Sequence, residues 1–132
     1  MDPKKILIVE DNVIVAMELQ ARLRGAGYIV TGIAATGDTA VQNATTTRPD
    51  LLLMDITLKG EMDGVETVTR IQKEYQPAVI YITAYSNEDV MTRAMATHPH
   101  TYLTKPFGPG ELFRQIARAL GLSGDENLPS LP

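Results

Sequence analysis

The chain is predicted to fold as a three-layer α/β sandwich, a doubly wound five-stranded parallel sheet covered by helices on both faces. Three observations predict it. Short apolar runs recur five times, segments with helical spacing alternate with them, and the run Leu51-Leu52-Leu53-Met54 is apolar at every position. A strand of that kind is buried on both faces, as strands inside parallel sheets are. Strands alternating with helices imply crossover connections and therefore parallel neighbours.

The first strand is Lys5 to Val9, ended by the acidic pair Glu10-Asp11. Asn12 can cap a helix whose apolar positions Ala16, Leu19, Leu23 and Ala26 recur every three or four residues, with Gly25 and Gly27 as stop signals. Tyr28 to Ala35 is the second strand. Gly37 and Asp38 open a weaker helix through Ala40, Val41 and Ala44. Thr45-Thr46-Thr47 and Pro49 are expected to end it, because β-branched residues and proline both oppose helix. The third strand, Leu51 to Asp55, follows.

Ile56 to Asp63 reads as a loop with glycine-bearing turns, and Gly64 begins a helix that buries Val68, Ile71 and Tyr75 until Pro77 breaks it. Ala78 to Thr83 is the fourth strand. Ser86 or Asn87 caps the next helix, which carries Val90, Met91, Ala94 and Met95 and stops before Pro99. Thr101 to Thr104 is the fifth strand, followed at once by Lys105-Pro106. Pro109 suits the first turn of a last helix holding Leu112, Phe113, Ile116 and Leu120, and Gly121 stops it. Residues 123–132 are polar and rich in Gly and Pro; they read as a disordered tail or linker stub after one domain spanning residues 1–122.

Composition narrows the function. The 132 residues suffice for one domain with its own core. Twelve basic against sixteen acidic residues, a net charge of −4, argue against nucleic acid or an anionic membrane as the main partner. The absence of cysteine excludes thiolate metal sites, disulfides and thiol nucleophiles. The first apolar run, Ile6 to Val9, is too short for a signal-peptide core or a membrane span, so a cytoplasmic protein is expected.

The chemistry gathers at the strand ends. Glu10 and Asp11 follow the first strand, Asp55 ends the third, Thr83 the fourth, and Lys105 follows the fifth. In a parallel sheet these ends share one rim, outside the carboxyl ends of the strands, where open α/β folds place their ligands. The second strand ends in Ala35-Thr36-Gly37 and offers no charge, which suits a strand order of 2-1-3-4-5. Two carboxylates about 4 Å apart repel by roughly 4 kcal/mol at an effective dielectric of 20, so three of them on one rim require a proton or a cation. Oxygen donors with no His or Cys among them favour a hard ion, and an open site suits Mg²⁺ better than Ca²⁺. A carboxylate flanked by Mg²⁺, an ammonium and a hydroxyl is equipped to attack a phosphoryl group, forming an aspartyl phosphate.

Ile6-Leu-Ile-Val-Glu10-Asp11-Asn12, Pro49-Asp50-Leu-Leu-Leu-Met-Asp55, Asp63-Gly64, Ile82-Thr83-Ala84 and Tyr102-Leu103-Thr104-Lys105-Pro106-Phe107 closely resemble the receiver domain of two-component response regulators. The likeness runs from about Lys4 to Leu122. It implies a flavodoxin-like fold with order 2-1-3-4-5, so that order is not an independent expectation. It implies that Asp55 takes phosphate from a phosphohistidine on a sensor histidine kinase or phosphotransfer protein. Glu10, Asp11, Asp55 and the backbone carbonyl of Thr57 would hold Mg²⁺. Thr83 and Lys105 would bind phosphoryl oxygens, Tyr102 would be the rotating aromatic of the switch, and the Lys105–Pro106 bond would be cis. Signalling would pass through the surface of the fourth helix, fifth strand and fifth helix to a downstream protein the sequence does not name. The protein would catalyse only its own phosphorylation and dephosphorylation.

The chain departs from the family pattern in two places. The loop between Asp55 and Gly64 is about one residue longer than the common form and leaves Lys59 and Glu61 free to approach the site. His98-Pro99 replaces the usual Gly-Ala before the fifth strand, where His tolerates positive φ less well than Gly. His98 and His100, across a proline in a loop, read as surface residues rather than a metal pair. The fifth strand lacks the acids used in one dimer form of the family, although a weak homodimer stays open.

Other readings also stay open. A pseudo-receiver would bind partners without taking phosphate. A flavodoxin-type FMN binder needs a phosphate cradle where Glu10-Asp11 stands, and a haloacid-type phosphatase needs a second Asp where Thr57 stands.

Overall fold

The structure is a computed structural model that describes residues 3–58, 60–84 and 87–122; the expectations for Lys59, Ser86 and the tail from residue 123 lie outside them. Its elements in order are β1 (Lys5–Val9), α1 (Val13–Gly25), β2 (Ile29–Ala34), α2 (Gly37–Thr47), β3 (Leu51–Asp55), α3 (Gly64–Gln72), β4 (Ala78–Thr83), α4 (Glu88–Met95), β5 (Thr101–Thr104) and α5 (Pro109–Ala119). All four strand pairings are parallel, in the order β2-β1-β3-β4-β5. The predicted fold class is the one observed.

Alternation along the strands builds two cores. Ile6 and Ile8, Leu51 and Leu53, and Ile80 and Ile82 face α1 and α5, meeting Leu19, Leu23, Leu112 and Ile116. Leu7 and Val9, Leu52 and Met54, and Val79 and Tyr81 face the other way, onto Ala40 and Ala44 of α2, Val68 and Ile71 of α3, and Ala94 of α4. Every residue of β3 is buried. This is why its sequence is apolar without alternation. Glu10, Asp55 and Lys105 keep the parity of Ile8, Leu53 and Leu103, so they leave the sheet on the α1/α5 side.

Side chains set the helix starts. Asn12, Thr36, Asp63 and Asn87 each accept a hydrogen bond from a first-turn amide, and Pro109 occupies the start of α5. α2 stops where expected, at Thr47, with Arg48 in the left-handed region at φ 46° just before Pro49, but the threonine triplet itself is helical. The Thr45 and Thr47 hydroxyls donate to the Val41 and Asn43 carbonyls at 2.9 Å each, so the polar ends fold back onto the helix.

α3 is shorter than expected. It ends at Gln72, and Tyr75 lies beyond it, its hydroxyl donating to the Pro49 carbonyl at 2.8 Å and its ring beneath the Arg48 guanidinium. On α4 only Ala94 is fully buried, and Met95 is exposed. His98 takes the positive φ, 54°, that its position demands, and its exposed neighbour His100 meets Gln115 at 3.1 Å.

Candidate functional site

The end of β1 hands Glu10 to the rim. It is 5% exposed; its Oε2 accepts the Asn12 amide at 3.1 Å, and its Oε1 accepts from Lys105 Nζ at 3.1 Å. Burial pushes the Glu10 carboxyl up. The Asn12 amide opposes this, the carboxylate of Asp55 adds to it, and Lys105 opposes it.

Asp55 ends β3 and is 6% exposed. Its Oδ1 accepts from both the amide and the hydroxyl of Thr57, each at 3.0 Å. Asp11 completes the group: one carboxylate oxygen from each of Glu10, Asp11 and Asp55 lies within 4.8 Å of the others. Among the described residues no other group of three or more acids, histidines or cysteines comes together in this way. Asp11 Oδ2 is buried without a hydrogen-bond partner.

Thr83 closes β4, buried, with its carbonyl accepting the Lys105 amide at 2.8 Å. That bond delivers the lysine to the rim, and the Lys105–Pro106 peptide that follows is cis. Tyr102 lies two strands from Asp55, in register with Tyr81 and 44% exposed. Glu61 is exposed in the loop after Asp55, while Leu58 and Met62 of the same loop are buried.

The structure brings the strand-end residues Glu10, Asp11, Asp55 and Lys105 together, with Thr83 on the neighbouring strand end and Thr57, which only the resemblance named, bonded to Asp55. Two features escape it. The ammonium of Lys105 is bonded to Glu10, a pairing between residues 95 apart that no spacing could reveal. The second is Gly64, whose missing Cβ would collide with the carbonyl of Asp55 and lie 3.1 Å from Ile56 Cα. The Asp63-Gly64 pair is visible as a turn and motif signal; its packing role is not.

With this geometry in place, comparison with known proteins is decisive. The model of the response regulator receiver domain matches residues 6–117. The chain belongs to that family. Receiver domains are regulatory modules that work with histidine kinases and downstream effectors, so the flavin-binding and phosphatase readings give way.

Among its relatives, this receiver is 33% identical over 118 residues to the transcriptional regulatory protein PdtaR of Mycobacterium tuberculosis, a match covering 89% of this chain and 57% of that protein. The chain therefore spans little more than half of that relative's length. The receiver domain of a modulated diguanylate cyclase from Desulfovibrio desulfuricans superposes with a TM-score of 0.86 at 38% identity, covering 91% of this chain and 95% of that one. The receiver domain of the sensor histidine kinase PA1611 from Pseudomonas aeruginosa, described with magnesium in its active-site cleft, gives 0.80 at 32% identity, covering 91% and 99%. Among the described residues no helix is long and apolar enough to cross a membrane.

Proposed function

We propose that Asp55 is a phosphoacceptor, charged by a sensor histidine kinase or phosphotransfer protein and signalling to a downstream protein. One observation carries the reading: three carboxylates converge at the carboxyl end of the sheet with one lysine ammonium among them. Three negative charges against one positive leave a formal −2 when all are ionised. Such a site repels a phosphoryl group until a cation joins it.

The residues fit a hard divalent ion. All the candidate donors are oxygens, and the buried Oδ2 of Asp11 has no other partner. Glu10, Asp11, Asp55 and the Thr57 carbonyl would hold Mg²⁺, the ion coordinated in the active-site cleft of the PA1611 receiver. Bound there, Mg²⁺ offsets charge on the equatorial phosphoryl oxygens.

The chain's own residues do the rest. Thr57 holds Oδ1 of Asp55, which leaves Oδ2 as the attacking atom. As the Oδ2–phosphorus bond forms, the donor's phosphorus–nitrogen bond breaks and its electron pair stays on the imidazole. Lys105 turns from Glu10 to the phosphoryl oxygens, and Thr83 binds another. Thr83 drawn toward the phosphate vacates space behind it, into which Tyr102 rotates from its exposed position. This remodels the α4-β5-α5 surface for the downstream partner.

The exposed apolar residues Val13, Ile14 and Met17 on α1, which begins just after Asp11, support docking of the phosphate donor beside the rim. A cytoplasmic location follows from this reading, because kinase and donor phosphates are there. Incubation with acetyl phosphate and Mg²⁺ is expected to add one phosphate, about 80 Da by intact mass, and Asp55→Asn should abolish the gain. A wild-type protein that gains no mass is a pseudo-receiver instead.

A further inference from the structure

A second charged contact lies behind the acceptor. Arg93 of α4 grips Asp63 with both ends of its guanidinium, Nη1 donating to Oδ2 at 2.9 Å and Nη2 to Oδ1 at 3.3 Å. The same Oδ1 accepts the Glu66 amide at 2.8 Å and so caps α3. The next residue, Gly64, is the one seated against the Asp55 carbonyl. Asp63 also closes the loop that begins at Asp55 and carries Thr57. The chain of contacts thus runs from α4 through one ion pair to the backbone of the acceptor.

Apolar packing also holds α4, with Val90 and Met91 partly buried against the core shared with α2 and α3. Ala94 is its one fully buried residue, and just past its end Thr97 bonds the Tyr81 hydroxyl and the Gln72 side chain, both at 2.8 Å. Those contacts fix the helix's trailing end to β4 and α3. Among the described residues the Arg93–Asp63 contact is the one ion pair that ties α4 to another element.

We propose that Arg93 is a positioning residue for Asp55: through Asp63 it steadies the acceptor loop and makes that loop and α4 move as one body. The proposal rests on Asp55 as the phosphoacceptor, but half of its test does not. A guanidinium presents two parallel donors to a carboxylate, whereas an ammonium presents a point charge. Lys at this position should therefore restore the grip only in part. If the two sites are coupled, the influence runs both ways: loading Asp55 changes α4, and releasing α4 changes Asp55.

The test compares wild type, Arg93→Gln and Arg93→Lys. In protein that carries no phosphate, Arg93→Gln should shift the Thr57 amide resonance and speed amide exchange across residues 91–95 several-fold. Unchanged Thr57 resonance and unchanged exchange would overturn the proposal, whatever Asp55 does. With acetyl phosphate and Mg²⁺, Arg93→Gln should take up phosphate about two- to fivefold more slowly, and Arg93→Lys should recover part of the loss. Phosphate should alter α4 exchange less in Arg93→Gln than in wild type, the remaining response being the part carried by Thr83 and Tyr102; an equal response in both would also overturn it. Should wild type take no phosphate, the phosphoacceptor reading fails, while the resonance and exchange measurements still decide the role of Arg93.

Discussion

At Gly64 the acidic rim depends on an atom that is missing. A methyl group there would run into the Asp55 carbonyl, a backbone atom that cannot swing aside as a side chain could. Gly64→Ala must therefore push α3 away from the end of β3 or tilt the peptide that follows Asp55. The expected cost is about 1–3 kcal/mol, the range for forcing extra volume into packed structure. Urea unfolding should show that loss, and acetyl phosphate uptake should fall with it, because Thr57 and Asp55 lie on the displaced peptide. Full stability in the alanine variant would mean that the close approach of α3 to β3 is not needed. Glu10 makes a similar point in reverse: it is long enough to meet Lys105 while its other oxygen holds the Asn12 amide. One side chain joins the first and fifth strand ends.

At the scale of elements, the Asp63–Arg93 pair sets a pH dependence with a definite sign. Burial raises the Asp63 carboxyl, but the Arg93 hydrogen bond and the Glu66 amide outweigh it and hold the group below its usual value of 3.8. A carboxyl with a depressed folded pKa stabilises the fold above its unfolded pKa, and that stability is lost as pH falls through the folded value. Both side chains are more than one-third exposed, so screening limits the pair to at most about 1 kcal/mol. Urea midpoints of wild type and Arg93→Gln should differ at pH 6 and converge below about pH 4. A gap that stays constant through that range would mean the arginine stabilises by packing rather than charge.

The elements also show what a linear reading can reach. β3 was legible because burial on both faces leaves an unbroken apolar run, and the acids at the rim were legible because strand ends mark themselves. The helical state of the threonine triplet in α2 was not, because threonine's preference against helix is outweighed once its hydroxyl finds a carbonyl one turn back. Tyr75 kept a helical spacing from Ile71 yet serves the Pro49 turn, a contact that only the folded chain brings within reach. Arg93 and Asp63, 30 residues apart, belong to the same class.

At the scale of the whole molecule, the site concentrates charge of the sign already in excess. The protein carries −4, and the rim alone accounts for a formal −2 when its three acids are ionised. Without a cation that crowding opposes folding; with one, the same oxygens become ligands and favour it. Asp11→Asn separates the two effects. It removes a charge whose Oδ2 makes no hydrogen bond, so in chelator the variant should be as stable as wild type or more so, by up to about 1 kcal/mol, a screened fraction of the full Coulomb repulsion. Adding Mg²⁺ should then reverse the order. A ligand bound only by the folded state at one hundred times its Kd adds about 2.7 kcal/mol, and wild type should show this as a rise in Tm while the asparagine variant shows much less. The crossing of the two stability curves as Mg²⁺ is titrated is the decisive feature, since lost packing would lower the variant's curve at every Mg²⁺ concentration and never make the two cross. If wild type gains nothing from Mg²⁺ at millimolar concentration, the acids are not a cation site, and the charge that should balance an incoming phosphate must come from somewhere other than this rim.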